Sequence, residues 1–376
     1  MGNDTIPLIT IGIPTWNRAK FLKECLDSII PQVVEFKNGK VEICISDNAS
    51  IDNTGEIVDK FKEKYLNLIR YRRNKDNLGF DRNLLKVIDM AKGKFIWLFG
   101  DDNQMAEGSL ARVVKFIKEH DESVVGMIVG GTKSYFVDDQ TGEKVVYDVT
   151  TDETKPEVYE LNKEEIFGAQ LAGGSFISVQ IFNNDFIKRV VSKDYNIINE
   201  GVGTGYIHTL LYRLMFLECD QLKGFILNKI IVLQEMPHYK ATIEDEFKLS
   251  YGASKLEDLL LSFSKPELGY NNLFYARKLA IKKVFLIVMG LMRAFGVFNY
   301  SSYFGCIKFF FCHSSLSYGL LLSVVFTLLF IIPTPILRNL YKICLKLKYG
   351  NLWNHHWERT SVIYSKMFNG GMRRRV

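Results

Sequence analysis

An α/β fold with a mostly parallel sheet covered by helices is predicted by three features of this 376-residue chain. Apolar runs of strand length alternate with helical periodicity four times before residue 120, the pattern of strands joined by crossover helices. Polar clusters follow the ends of these strands, the edge at which such sheets bind ligands. The length allows one large α/β domain plus an extension, or two domains.

Residues 8–13 (Leu-Ile-Thr-Ile-Gly-Ile) form the first strand, ended by Pro14-Thr15-Trp16-Asn17-Arg18. Asn17 is placed to cap a helix whose apolar positions Phe21, Leu22, Cys25, Leu26, Ile29 and Ile30 recur at helical spacing. Val41–Ser46 is the second strand, closed by Asp47-Asn48-Ala49-Ser50. Thr54 is a candidate cap for the next helix, with Ile57, Val58 and Phe61 on one face. Residues 68–71 form a third strand, Asp76-Asn77-Leu78-Gly79 a turn, and 80–91 a third helix. Residues 94–99 form the fourth strand and 107–119 a fourth helix. The polar stretch 131–160 reads as an inserted hairpin or lobe. Residues 173–182 alternate roughly like a strand, and a glycine-rich loop at 200–208 runs into a helix at 209–217.

Asp101 and Asp102 directly follow the fourth strand and Gly100. Two adjacent carboxylates at the end of a buried strand are costly unless neutralised. A hard divalent cation sharing oxygen ligands with a phosphate would neutralise them; a solvated turn is the plainer alternative.

Three segments carry a resemblance. Residues 9–29 (ITIGIPTWNRAKFLKECLDSI), 41–54 (VEICISDNASIDNT) and 77–103 (NLGFDRNLLKVIDMAKGKFIWLFGDDN) resemble successive blocks of the family 2 glycosyltransferases, in particular the abequosyltransferase-like group of bacterial surface polysaccharide assembly. The resemblance covers residues 8–115, weakens to about 240 and is absent beyond. It implies a GT-A, Rossmann-like fold and metal-dependent inverting transfer from a nucleotide sugar. It implies that Pro14, Thr15 and Asn17 line the nucleobase pocket, that Asp47 accepts from the base, and that Arg82 faces the phosphates. The family's metal motif is D-x-D, whereas here it reads Asp101-Asp102-Asn103. The resemblance then assigns Asp102 to Mg2+ or Mn2+ and Asp101 to the ribose. The family's catalytic base lies on a later loop; Glu200 is the first candidate here, with Asp194 and His208 as alternatives. Glu244-Asp245 lies later, in an acidic stretch of helical pattern, and is a weaker candidate; His208 and His238 fit no metal-ligand spacing together and read as structural histidines. Asn103 and the missing Glu-Asp pair leave room for a non-catalytic sugar-nucleotide-binding or scaffold protein of the same fold.

Charge is divided unevenly. Of 48 Lys and Arg and 42 Asp and Glu, 15 basic residues and one acid (Glu358) lie from Asn271 onward, leaving 33 and 41 in front. Domains of 1–265 and 266–376 are expected, the second basic, apolar and helical. Leu316–Ile332 is an uncharged run at the low end of spanning length. The Val284–Met292 stretch with its basic approach reads as interfacial. The tail suits an anionic membrane surface, on the cytoplasmic face, better than nucleic acid, because a groove binder has no use for long apolar runs. A lipid-linked glycan acceptor is therefore expected. The six cysteines form no C-x-x-C pair and read as buried thiols of a reducing compartment. No secretory signal is expected from the first residues.

Overall fold

The structure is a computed structural model and describes residues 6–36, 40–65, 68–137, 143–162, 165–166 and 176–235, with 335–336, 339 and 342–343. The chain divides into two compact units, one of Met1–His238 with Lys248–Leu273, the other of Tyr239–Phe247 with Phe274–Val376. The few described residues of the second unit are helical. The Val284–Met292 and Leu316–Ile332 runs, His238 and Glu244-Asp245 lie outside the described residues. Among the described residues no helix is long and apolar enough to cross a membrane.

The first unit begins as the alternation predicts. β1 (Ile9–Thr15), α1 (Ala19–Val34), β2 (Val41–Asp47), α2 (Thr54–Lys64), β3 (Ile69–Arg73), α3 (Phe80–Met90) and β4 (Phe95–Leu98) follow in turn. β1 pairs in parallel with β2 and β4, and β2 with β3. β4 is buried along its whole length, as a strand covered on both faces must be. Each such large side chain contributes about 1.5–3 kcal/mol relative to exposure.

The second half departs from the expectation of a mostly parallel sheet. β5 (Asn103–Met105), α4 (Ser109–Glu119), β6 (Val125–Val137), β7 (Lys144–Val149), β8 (Val158–Leu161), β9 (Gln180–Asn183), α5 (Asn184–Lys193), α6 (Tyr195–Gly201), α7 (Ile207–Glu218) and β10 (Lys223–Glu235) complete it. The sheet is mixed. β9 is wedged antiparallel between β4 and β6, and β10 runs parallel to β6 but antiparallel to β5 and β8. The order is β3-β2-β1-β4-β9-β6-β10-β5, with β7 on β6 and β8 on β10. Residues 131–160 therefore supply the second half of β6, then β7 and β8, all paired into this sheet. Within the expected strand 173–182, a 3-10 turn (Ile177–Val179) precedes β9.

Two helix caps differ from the sequence reading. Asn17 does not cap α1. Its backbone is left-handed (φ 52°), and its side chain accepts from Ile51 N at 2.7 Å. The first amide of α1, at Ala19, instead donates to Asp52 Oδ2 at 3.1 Å. Thr54 is the first residue of α2 rather than its cap, and its amide also donates to Asp52, at 3.1 Å. One carboxylate thus serves two helix starts and ties the loops after β1 and β2 together.

Candidate active site

The site forms where β1, β2 and β4 end, and the three loops interlock there. Asn17 N donates to Ser50 Oγ at 2.9 Å, and Asn48 N to Thr15 O at 2.9 Å. Asn83, on the first turn of α3, donates to Ser46 O at 3.0 Å and to Thr15 O at 3.4 Å. It also accepts from Ser46 Oγ at 2.7 Å. Pro14 is buried within β1, so the loop leaves the sheet from a rigid strand end.

Asp101 and Asp102 play different parts. Asp101 is 5% exposed; its Oδ2 accepts from Thr15 Oγ1 at 2.7 Å and its Oδ1 from Arg18 Nη1 at 3.0 Å. Burial pushes its carboxyl up to about 6, against the opposing pull of Arg18, with the neighbouring Asp102 adding to the rise. Asp102 is about half exposed; its Oδ2 accepts from the same Arg18 Nη1 at 2.7 Å. Arg18 thus bridges the pair.

Asn103 Nδ2 donates to Asp102 Oδ1 at 2.8 Å and to Ser178 Oγ at 3.0 Å. A carboxylate only accepts, so this contact fixes which end of the amide faces Asp102. Asn103 Oδ1 is buried and without a partner. Asn103 therefore orients Asp102 and turns no oxygen toward a shared ion. Ser178 Oγ also accepts from Gly100 N at 2.8 Å. A Cβ at Gly100 would come within 2.6 Å of Asn103 Nδ2 and 3.0 Å of Ser178 Oγ, so a side chain there would have to displace the amide that orients Asp102.

Among the described residues no group of three or more His, Cys, Asp and Glu could hold an ion. The site offers the outward carboxylate of Asp102, backed by Asp101. That fits a Mg2+ or Mn2+ completed by substrate phosphates and water, the usual mode for these ions.

Asp47 is 1% exposed. It accepts from Ser50 N at 2.8 Å and from Tyr71 Oη at 2.6 Å, with Arg73 Nε at 3.9 Å. It therefore shapes the turn after β2 and ties it to β3. Burial, then Asp47, pushes the Tyr71 hydroxyl up.

Arg82 is exposed and donates to Asn199 Oδ1 at 2.8 Å, so its described partner is α6. Glu200 stands exposed on α6 and not on a loop. His208 is buried in the first turn of α7, which begins at Ile207, two residues before the expected start. Asp194 precedes α6 and pairs with Glu218, whose hydrogen bond with burial pushes it up to about 6. Glu218 ends α7, eleven residues or about 16 Å along the helix from its start. Asp194 thus meets the C-terminal end of α7.

Sequence reasoning missed Arg18, Asn83, Ser178 and Asp81. Asp81, 3% exposed, accepts from Gly203 N at 2.7 Å, Gly205 N at 2.9 Å and Ile207 N at 3.3 Å. A sequence signal existed only for Arg18, a cation directly after a site-forming strand end.

A mixed α/β sheet with interlocked loops and a carboxylate pair at the carboxyl ends of its strands defines a GT-A-type domain. Residues 10–176 match the family model described as "Glycosyl transferase family 2", and that span carries the family likeness. Abequosyltransferase RfbV of Salmonella typhimurium is 49% identical over 104 residues, 28% of this chain and 31% of that protein. The chain spans 31% to 42% of the length of the first curated relatives it matches. Two solved structures share the fold. S. aureus TarS 1–349 in complex with UDP has a TM-score of 0.54 at 15% identity, covering 97% of this chain and 93% of that one. The mannosyltransferase PcManGT from Pyrobaculum calidifontis, in complex with GDP-Man and Mn2+, has a TM-score of 0.53 at 14% identity, covering 97% and 86%.

Proposed function

We propose that the chain transfers a sugar from a nucleotide-sugar donor to a hydroxyl of a lipid-linked glycan acceptor, with inversion, in bacterial surface polysaccharide assembly. The observation that carries this is the division of labour at the end of β4: Asp101 is buried and fully engaged, while Asp102 faces outward and is held in place by Asn103. A Mg2+ or Mn2+ held by Asp102 would neutralise the charge of the departing diphosphate. Pro14, Thr15, Asn17 and Asp47 border the nucleoside end. Arg18, once released from the carboxylates, is in reach of a diphosphate's charge. Glu200 is the candidate to take the acceptor's proton. The Mn2+ and nucleotides bound by the two structural neighbours support a metal and a donor of this class here.

The basic, apolar tail supports a place on the cytoplasmic face of the membrane, where it would bring the site to a lipid-linked head group. Full-length protein is then expected in the membrane fraction, resistant to high salt and released by detergent. Recovery as a soluble monomer without detergent would remove the membrane from this reading.

The second reading is a non-catalytic binding or scaffold protein. It is favoured by Arg18, which already supplies the carboxylate pair with a cation from the chain itself. A panel of UDP-, GDP-, CDP- and dTDP-sugars, followed by thermal shift and by donor hydrolysis with Mn2+, separates the two. Binding with turnover supports the enzyme, binding without turnover supports the scaffold, and neither sinks both.

A further inference from the structure

We propose that Asp81 is a positioning residue that fixes the acceptor-side segment 199–208 against the donor site. The proposal rests on the transferase reading above and deepens it. The segment contains Glu200 and His208 and includes two glycines with left-handed backbone, Gly203 (φ 89°) and Gly205 (φ 76°). Their conformation aims the amides of residues 203, 205 and 207 at one buried carboxylate, so Asp81 satisfies the loop and the first amide of α7 together. The next residue, Arg82, donates to Asn199 Oδ1. Glu200 therefore sits between two anchors, at 199 and 203, both held by the first turn of α3.

The same turn reaches the donor side. Asn83 holds the ends of β1 and β2 through Thr15 O and Ser46 O, and Thr15 Oγ1 holds Asp101. Three consecutive side chains on one helical turn thus join the segment bearing the candidate base to the strand ends bearing the carboxylate pair. A buried carboxylate spent wholly on backbone amides of a distant loop serves geometry, and geometry of this kind is what in-line transfer demands.

The test uses the full-length chain in detergent, with a donor found in the sugar-nucleotide panel and water as the acceptor. Asp81→Asn keeps the volume but leaves one accepting oxygen for three amides. Gly205→Ala strains the loop from its own side: an added Cβ meets nothing within 4 Å, so only the positive φ resists it. It leaves α3 untouched and stands in if Asp81→Asn does not fold. The expected result for both is faster amide hydrogen exchange over 202–207 and a fall in kcat for donor hydrolysis of about 100-fold, the scale of a 1 Å misplacement. Donor KM should stay within about twofold, because only the base side is loosened. Unchanged amide exchange, unchanged kcat, or a rise in KM matching the loss in kcat/KM would overturn the proposal. A parent chain that turns over no donor would instead sink the transferase reading, and this inference with it.

Discussion

Arg18→Ala removes the cation that, among the described residues, bridges Asp101 and Asp102, and should destabilise the protein in a way that a divalent cation reverses. The Asp102 arm joins two half-exposed side chains, so solvent screening leaves it worth about 0–1 kcal/mol. The Asp101 arm is a charge-assisted bond to a buried carboxylate, worth about 1.5–3 kcal/mol. The loss is capped, because Asp101 can take up a proton when its counter-ion goes; burial already holds its carboxyl near 6. The two arms together predict a loss of about 2–3 kcal/mol. In a unit of this size that lowers Tm by about 4–12 °C. The assay is thermal unfolding in EDTA and again with millimolar Mn2+. The variant should fall in EDTA and recover more Tm with Mn2+ than the parent does, because the guanidinium no longer competes for Asp102. An unchanged Tm in EDTA, or equal Mn2+ responses, would refute the idea that Arg18 stands where a cation would be used.

Four further outcomes follow from the site. Asp102→Ala should abolish turnover and Mn2+-dependent nucleotide binding while far-ultraviolet circular dichroism stays unchanged; near-normal turnover would remove Asp102 from the metal. Asp47→Ala should weaken nucleotide binding about 10- to 150-fold, the worth of one charge-assisted hydrogen bond, measured by titration calorimetry; an unchanged affinity would leave Asp47 a turn former. Glu200→Gln should collapse the rate and spare donor affinity, whereas a rate within about threefold of the parent would pass the role of base to Asp194 or His208. Asp194 is raised to about 6 in the folded protein, so its charge weakens the fold progressively as pH climbs from about 4 through 6. Asp194→Asn should therefore raise Tm at pH 7 and lose that advantage near pH 4. A pH-independent difference would refute the pairing with Glu218.

The front of the sheet was readable because its signals are local. β1, β2 and β4 are buried, so their apolar runs are continuous and the polar residues that end them stand out. The second half was misread because pairing partners leave no periodicity of their own. Four residues, Gln180–Asn183, cannot announce that they will lie antiparallel between β4 and β6. The same limit governed the site. Asp101 and Asp102 are adjacent to each other and to a strand end. Arg18 meets Asp101 across 83 residues, and Asp81 meets backbone amides more than 120 residues away. An amide donor is present at nearly every residue, so no side-chain pattern could have disclosed that partner. A comparison with D-x-D shows Asn103 only as a missing acid, whereas an amide's donor end suits it to orient the acid beside it.

The position of β9 governs the order in which this protein can be made. It hydrogen-bonds to β4 on one side and β6 on the other, so the two halves of the sheet stay unjoined until residue 183 has been synthesised. At about 5–20 residues per second, β4 waits several seconds on the ribosome with an unpaired apolar edge. Residues 10–176, the span matched by the family model, end just before the strand that would close that gap. A fragment cut there should aggregate through the open edge of β4, while one that continues through β10 at Glu235 holds every described strand of the sheet.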